Sequence, residues 1–204
     1  TGEVESTICV GEDVTKHENY LFTLHKIASL LLDESEKVPY REFVKLVGQA
    51  ANADHTYIFL NSLNEDGSVS AKKVSEWGKN KFIDNLERLP GLKNLNVLDF
   101  AKELTDTLKS GEAINLPTTL FPNWEQSFFK QFDIRAILLI PIIVDDEFFG
   151  FVGFDNREND REWTNSELDF LKASVKNLEQ RIKRTHALSS LKASESKFRK
   201  LSGL

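Results

Sequence analysis

The sequence is poor in the residues that build covalent and metal-centred chemistry: among 204 residues there are one cysteine, Cys9, four histidines and no methionine. A single thiol excludes an intrachain disulfide and any multi-cysteine zinc or iron–sulfur site, and it points to a reducing, cytoplasmic setting. Basic residues are also in deficit, 26 Lys+Arg against 32 Asp+Glu for a net charge of −6, so no nucleic-acid partner is expected. Long apolar runs are missing. The longest, around Ile137 to Val144, falls far short of the ~20 residues of a membrane-spanning helix, and no apolar signal segment opens the chain. The chain therefore reads as soluble, with no membrane insertion of its own. The absence of methionine marks it, on this reading, as a piece of a longer polypeptide. Catalytic signatures are lacking too: there is no G-x-S-x-G, no H-E-x-x-H, no phosphate-cradling glycine loop and no G-x-G-x-x-G. No catalytic or metal-ligating residue is nominated, and the chain by itself is expected to be inactive as an enzyme.

What is present is periodic. Residues 1–15 show no sustained period and read as a tether. From Lys16 a helical stripe carries Tyr20, Leu24, Ile27, Leu30 and Leu31. A second, opened by Pro39, carries Phe43, Leu46, Val47, Ala50 and Ala51 up to Asn52. His55 to Asn61 and Val69 to Trp77 read as strands joined through Asn64-Glu65-Asp66-Gly67. Lys79 to Leu120 is ambiguous, with a possible helix from Val97 to Leu108, and Trp124, Phe128, Phe129 and Phe132 fall on a short helical spacing.

RAILLIPIIV and EFFGFVGFDN, joined by Asp145-Asp146, are the clearest strand pair. Neither alternates apolar with polar, so the sheet is expected to be covered by helices on both faces. Pro141 belongs at a bulge or an unpaired side, and the missing glycine after Asp145-Asp146 argues against a tight primed turn. REWTNSELDFLK opens a long helix, with Thr164 as N-cap and Glu167 closing a capping box. Leu168, Leu171, Val175, Leu178 and Ile182 then space as the seam of a coiled coil, interrupted at Thr185 and Ser189.

These pieces in this order resemble a GAF domain of the kind found in bacterial and archaeal sensor proteins: LHKIASLLL, YIFLN, VSEW, INLP, ILLIPIIV, FFGFVGFDN and the helix from REWTNSELDFLK. The trailing SESKFRKLSGL resembles the start of a PAS domain. The resemblance implies an α+β fold, an antiparallel sheet with helices on both faces and a long C-terminal coiled-coil signalling helix. It divides the chain into a tether (1–15), the GAF domain (16–184), and a linker helix with the start of a PAS domain (185–204).

It also implies a homodimer built on Leu24, Leu31, Leu168, Leu171, Val175, Leu178 and Ile182. Occupancy by an unidentified small molecule would be relayed to downstream PAS and output domains, a histidine kinase or alternatively a diguanylate cyclase. Candidate pocket residues are Thr56, Ile58, Trp77, Phe100, Leu116, Trp124, Phe128 and Phe132. Thr56 and Ile58 are favoured over Tyr57 and Phe59 because a pocket suits a sparse hydroxyl and a helix-covered face suits bulk.

No cofactor is assigned. A covalent bilin is not expected, because the only thiol lies in the tether. Asn80-Lys81-Phe82 with Asp84 departs in spacing from the cyclic-nucleotide-binding pattern. A haem held by His55 and a ligand-free dimerisation spacer are the alternatives.

Overall fold

The computed structural model describes residues 2–33, 35, 37–65, 69–79 and 102–202, with side chains from residue 15 onward except those of 123, 124 and 200–202. Among the described residues five antiparallel strands form one sheet in the order β2-β1-β5-β4-β3. They are β1 (His55–Leu63), β2 (Val69–Gly78), β3 (Ile114–Pro117), β4 (Ala136–Val144) and β5 (Glu147–Asn156). Among the described residues the helices are α1 (Gly2–Leu32), α2 (Tyr40–Ala50), α3 (Lys102–Lys109), α4 (Asn123–Gln131) and α5 (Asn165–Ser202). The expected strand pairs, the two-sided cover and the long last helix are all present.

α1 begins at Gly2 rather than at Lys16. Extending an existing helix toward its N-terminus needs no new nucleus, so it does not need the apolar period whose absence suggested a tether.

Strand alternation sends Ile58 of β1, Val152 and Phe154 of β5, and Ala136, Leu138, Ile140 and Ile142 of β4 to one face, where they pack against Ile27, Val44, Val47, Leu171, Val175, Leu178 and Ile182. All of these are 3% exposed or less. The seam read as a coiled coil is therefore spent inside the chain: Leu171, Val175, Leu178 and Ile182 meet the body's own core, with Leu31 buried and Leu24 and Leu168 partly buried beside them. An apolar stripe at spacings of three and four fits a sheet as well as a partner helix, so its period cannot choose between them.

Local chemistry fixes the ends of these elements. At the start of α5 the Thr164 N–H donates to Glu167 Oε2 at 2.7 Å while the Glu167 N–H reaches back to Thr164 Oγ1 at 3.4 Å, the expected capping box. α2 lies close on the sheet because Gly48 has no side chain; a Cβ there would stand 2.5 Å from the Trp77 ring. β3 pairs with β4 only as far as Leu139, so Pro141 sits where that edge of β4 has no strand partner among the described residues, one residue from a bulge at Ile142/Ile143.

The β4–β5 turn departs from expectation. Val144 pairs directly with Glu147, and Asp145 (φ 53°) and Asp146 (φ 64°) are both left-handed, giving a two-residue primed turn without glycine. Aspartate tolerates this region because its short side chain can bond locally, at a cost that glycine avoids. Asp146→Gly is therefore expected to raise stability by about 0.5 kcal/mol. Urea denaturation of the two proteins checks this, and a lower midpoint for the variant would count against it.

Candidate functional site

The second face of the sheet is aromatic. Phe59 of β1 and Phe151 of β5 stack with centroids 5.3 Å apart, Tyr57 meets Phe59 edge-on at 5.7 Å, and Ile114, Ile137 and Leu139 continue the surface. Leu108 of α3, Phe121 ahead of α4 and Phe129 within α4 lie over it, the two phenylalanine rings 5.2 Å apart. Gly153 makes room for Tyr57, since a Cβ there would fall 2.1 Å from the ring.

One end of this face is polar and buried. The Tyr57 hydroxyl donates to Asp155 Oδ1 at 3.1 Å, His55 Nδ1 lies 3.2 Å from Asp155 Oδ2, and His55 Nε2 lies 3.2 Å from Glu76 Oε2. Lys73 closes the chain on Glu76 Oε2 at 2.8 Å. Antiparallel pairing assembles it: His55 stands opposite Asp155, and Tyr57 opposite Glu76 and Gly153.

Burial by itself would drive the His55 proton off, but hydrogen bonds to two carboxylates outweigh it and push the imidazole up to about 9. Burial, reinforced by Asp155, raises the Tyr57 phenol well above its ordinary range. Glu76 is desolvated as well, yet His55 and Lys73 hold it below the usual carboxylate value. At neutral pH the set is an imidazolium between two carboxylates, and Tyr57 is a neutral donor.

In this arrangement both nitrogens of His55 are engaged by carboxylates. Among the described residues no group of His, Cys, Asp and Glu could hold a metal ion.

The sequence-predicted pocket residues are divided by the structure. Thr56, Ile58 and Trp77 lie on the helix-covered face, Thr56 beneath Gly48 with its hydroxyl buried and unpaired. Bulk, in the form of Tyr57, Phe59 and Phe151, stands on the second face, and the missing side chain of Gly48 leaves room for Thr56 under α2. Leu116 is half-buried at the margin of the second face. Phe128 and Phe132 pack on each other at 5.1 Å and touch that face through Phe129, 5.6 Å from Phe128. Phe100, Asn80, Lys81, Phe82 and Asp84, and the side chain of Trp124, lie outside the described residues. Elsewhere, an open groove of about 1300 Å³ runs between α1, α2 and the start of α5, lined by Tyr20, Thr23, Leu46, Gln49, Arg161 and Glu167.

The family model for GAF domains matches residues 39–182, from the lead-in to α2 to the middle of α5. The chain belongs to the GAF domain family. Cys9 stands outside the matched span. Among curated proteins, this GAF domain is 28% identical over 134 residues to the methanogenesis regulatory histidine kinase FilI of Methanothrix harundinacea, covering 66% of the chain and 15% of that relative's length.

Among solved structures it is similar to the GAF domain of a phosphoenolpyruvate-protein phosphotransferase from Coxiella burnetii, with TM-score 0.66, 18% identity, 85% of this chain and 98% of that one. It is also similar to GAF3 of Slr1393 from Synechocystis in its photoproduct state, with TM-score 0.62, 18% identity, 77% of this chain and 99% of the other. These likenesses concern the fold.

Proposed function

We propose that this GAF domain is the sensory module of a histidine-kinase-type signal-transduction protein. It binds a small molecule on the second face and relays occupancy through α1 and α5 of a homodimer to a downstream PAS and kinase output. One observation carries the reading: an aromatic face ending in a buried ionic network lies directly behind the face on which the two long helices pack. A surface of that composition suits a small, flat, largely apolar ligand with a few fixed polar groups. The relationship to FilI supports the kinase context. The dimer would use the apolar side chains that the core leaves exposed on the long helices, Leu21 and Phe22 of α1 and Leu188, Leu191 and Phe198 of α5. No described helix is long and apolar enough to cross a membrane, and a cytoplasmic module is the setting we propose.

A second reading, a ligand-free dimerisation spacer, is favoured by the close stacking of Phe59 on Phe151, both 7% exposed or less. A native mass spectrum of the chain as purified, repeated after denaturation, separates the two. The expected result is a dimer carrying a small extra mass that is lost on denaturation. A bare dimer would transfer the argument to the spacer, and a monomer would sink the dimeric relay.

A further inference from the structure

The β4–β5 hairpin touches both layers of the molecule, and α5 grips it at three successive points. Glu179 Oε1 accepts the Ile143 N–H at 2.7 Å, on the edge of β4 that β3 does not reach. One turn on, Lys183 Nζ pairs with Asp145 Oδ1 at 2.5 Å. Another turn on, the His186 ring meets Phe149 edge-on with centroids 5.1 Å apart. Spacings of four and three place these residues on one face of the helix.

On its other side the hairpin enters the second face: Phe148 packs with the cluster around Phe59 and Phe151, and its carbonyl accepts a 2.7 Å bond from Asn61 Nδ2. Phe149 can serve the helix because the bulge leaves it without a partner on β4: Ile142 pairs with Gly150 and Ile143 with Phe148. The bulge in turn depends on Gly150, where a Cβ would stand 2.1 Å from the Phe59 carbonyl.

The grip also stands at the exit of α5 from the body, since from His186 to Arg199 every side chain of the helix is exposed. The end of α1 holds the same stretch from elsewhere: Arg184 donates to the Leu31 carbonyl at 2.7 Å, and Arg181 donates to the carbonyls of Ser35 and Lys37.

We infer that the tip of the β4–β5 hairpin couples the second face to the signalling helix: displacement of Phe148 shifts Ile143, Asp145 and Phe149 as a unit and loosens α5 from Glu179 to His186. The inference rests on the reading that the second face is the sensing face. It requires two arrangements of one contiguous element that both layers bias.

Hydrogen exchange tests it without a ligand. Asn61→Ala cuts the bond from the second face to the hairpin, and Phe148→Leu is a second perturbation of the same place. The pair Lys183→Ala and His186→Ala, both at exposed positions, removes two of its three contacts. Amides of residues 183–190 are expected to exchange about fivefold faster in Asn61→Ala and in Phe148→Leu than in the parent. In the Lys183→Ala/His186→Ala background, the same two changes should add less than about twofold. Equal acceleration in both backgrounds, or none in the parent, overturns the coupling. A mass spectrum with no bound molecule would sink the sensor reading and leave this measurement intact.

Discussion

Asp155→Ala is expected to lower stability by about 4 kcal/mol, about a quarter or more of what a domain has to lose. Asp155 is 1% exposed, and its two oxygens serve Tyr57 and His55 separately. Alanine would leave an imidazolium with a carboxylate on only one side, in a place where little water reaches it, and a part-buried phenol that has lost its acceptor. Removing one partner of a buried set costs far more than the set contributes relative to an apolar replacement, because the remaining groups stay desolvated. Asp155→Asn keeps one acceptor and the same volume, and is expected to cost about half as much. By contrast, truncating Lys183 of the exposed pair with Asp145 should leave the unfolding midpoint almost unmoved, since water screens that pair. Urea denaturation of the three variants ranks them. A loss below about 1 kcal/mol for Asp155→Ala would mean that water reaches the network and that the end of the second face is open.

The parts of this network were visible in the sequence, but their association was not. His55 and Asp155 are 100 residues apart and His55 and Glu76 are 21 apart, and no local pattern announces either meeting. A usable signal was a polar residue at the outer end of each of two otherwise apolar strands, HTYIFLN and EFFGFVGFDN, which antiparallel pairing brings together. The strands themselves, α2 with its opening at Pro39, and the capping box at Thr164 were legible, because turn chemistry, caps and apolar period act within a few residues. Three features were not, and each depends on what lies across a gap. The close fit of Thr56 under α2 depends on the missing Cβ of Gly48, which lies on another element. The seam from Leu168 to Ile182 was claimed by the chain's own sheet. The primed turn at Asp145-Asp146 was imposed by the register of nine-residue β4 against β5, with aspartate accepting a conformation more often given to glycine.

Raising the pH from about 6.5 to 9 is expected to remove about 3 kcal/mol of stability, and His55 is the cause. Its proton is held up to about 9 in the folded protein against 6.5 for a free imidazole. Below the unfolded value both states are protonated and the whole contribution is present. Between the two values the unfolded chain releases a proton that the folded one keeps, so each pH unit costs about 1.4 kcal/mol until the folded histidine also titrates. The acid limb has the opposite sign. Asp54 accepts bonds from the backbone of Arg157 and Glu158, and Glu76 and Glu167 are paired, so all three are held below their ordinary values despite burial. Their stabilisation is present above about pH 4.5 and fades as pH falls through the folded values. Stability should therefore be greatest between about pH 5 and 6.5 and decline on both sides. Urea midpoints across that range check the shape, and the imidazole resonances, assigned by comparison with His55→Leu, check the cause. A midpoint unchanged from pH 6.5 to 9, or a His55 signal titrating near 6.5, would show that the two carboxylates do not hold the ring. If they do, the second face carries a fixed imidazolium at neutral pH. A ligand that drew Glu76 or Asp155 away from it would then release a proton on binding, at a pH where the empty domain releases none.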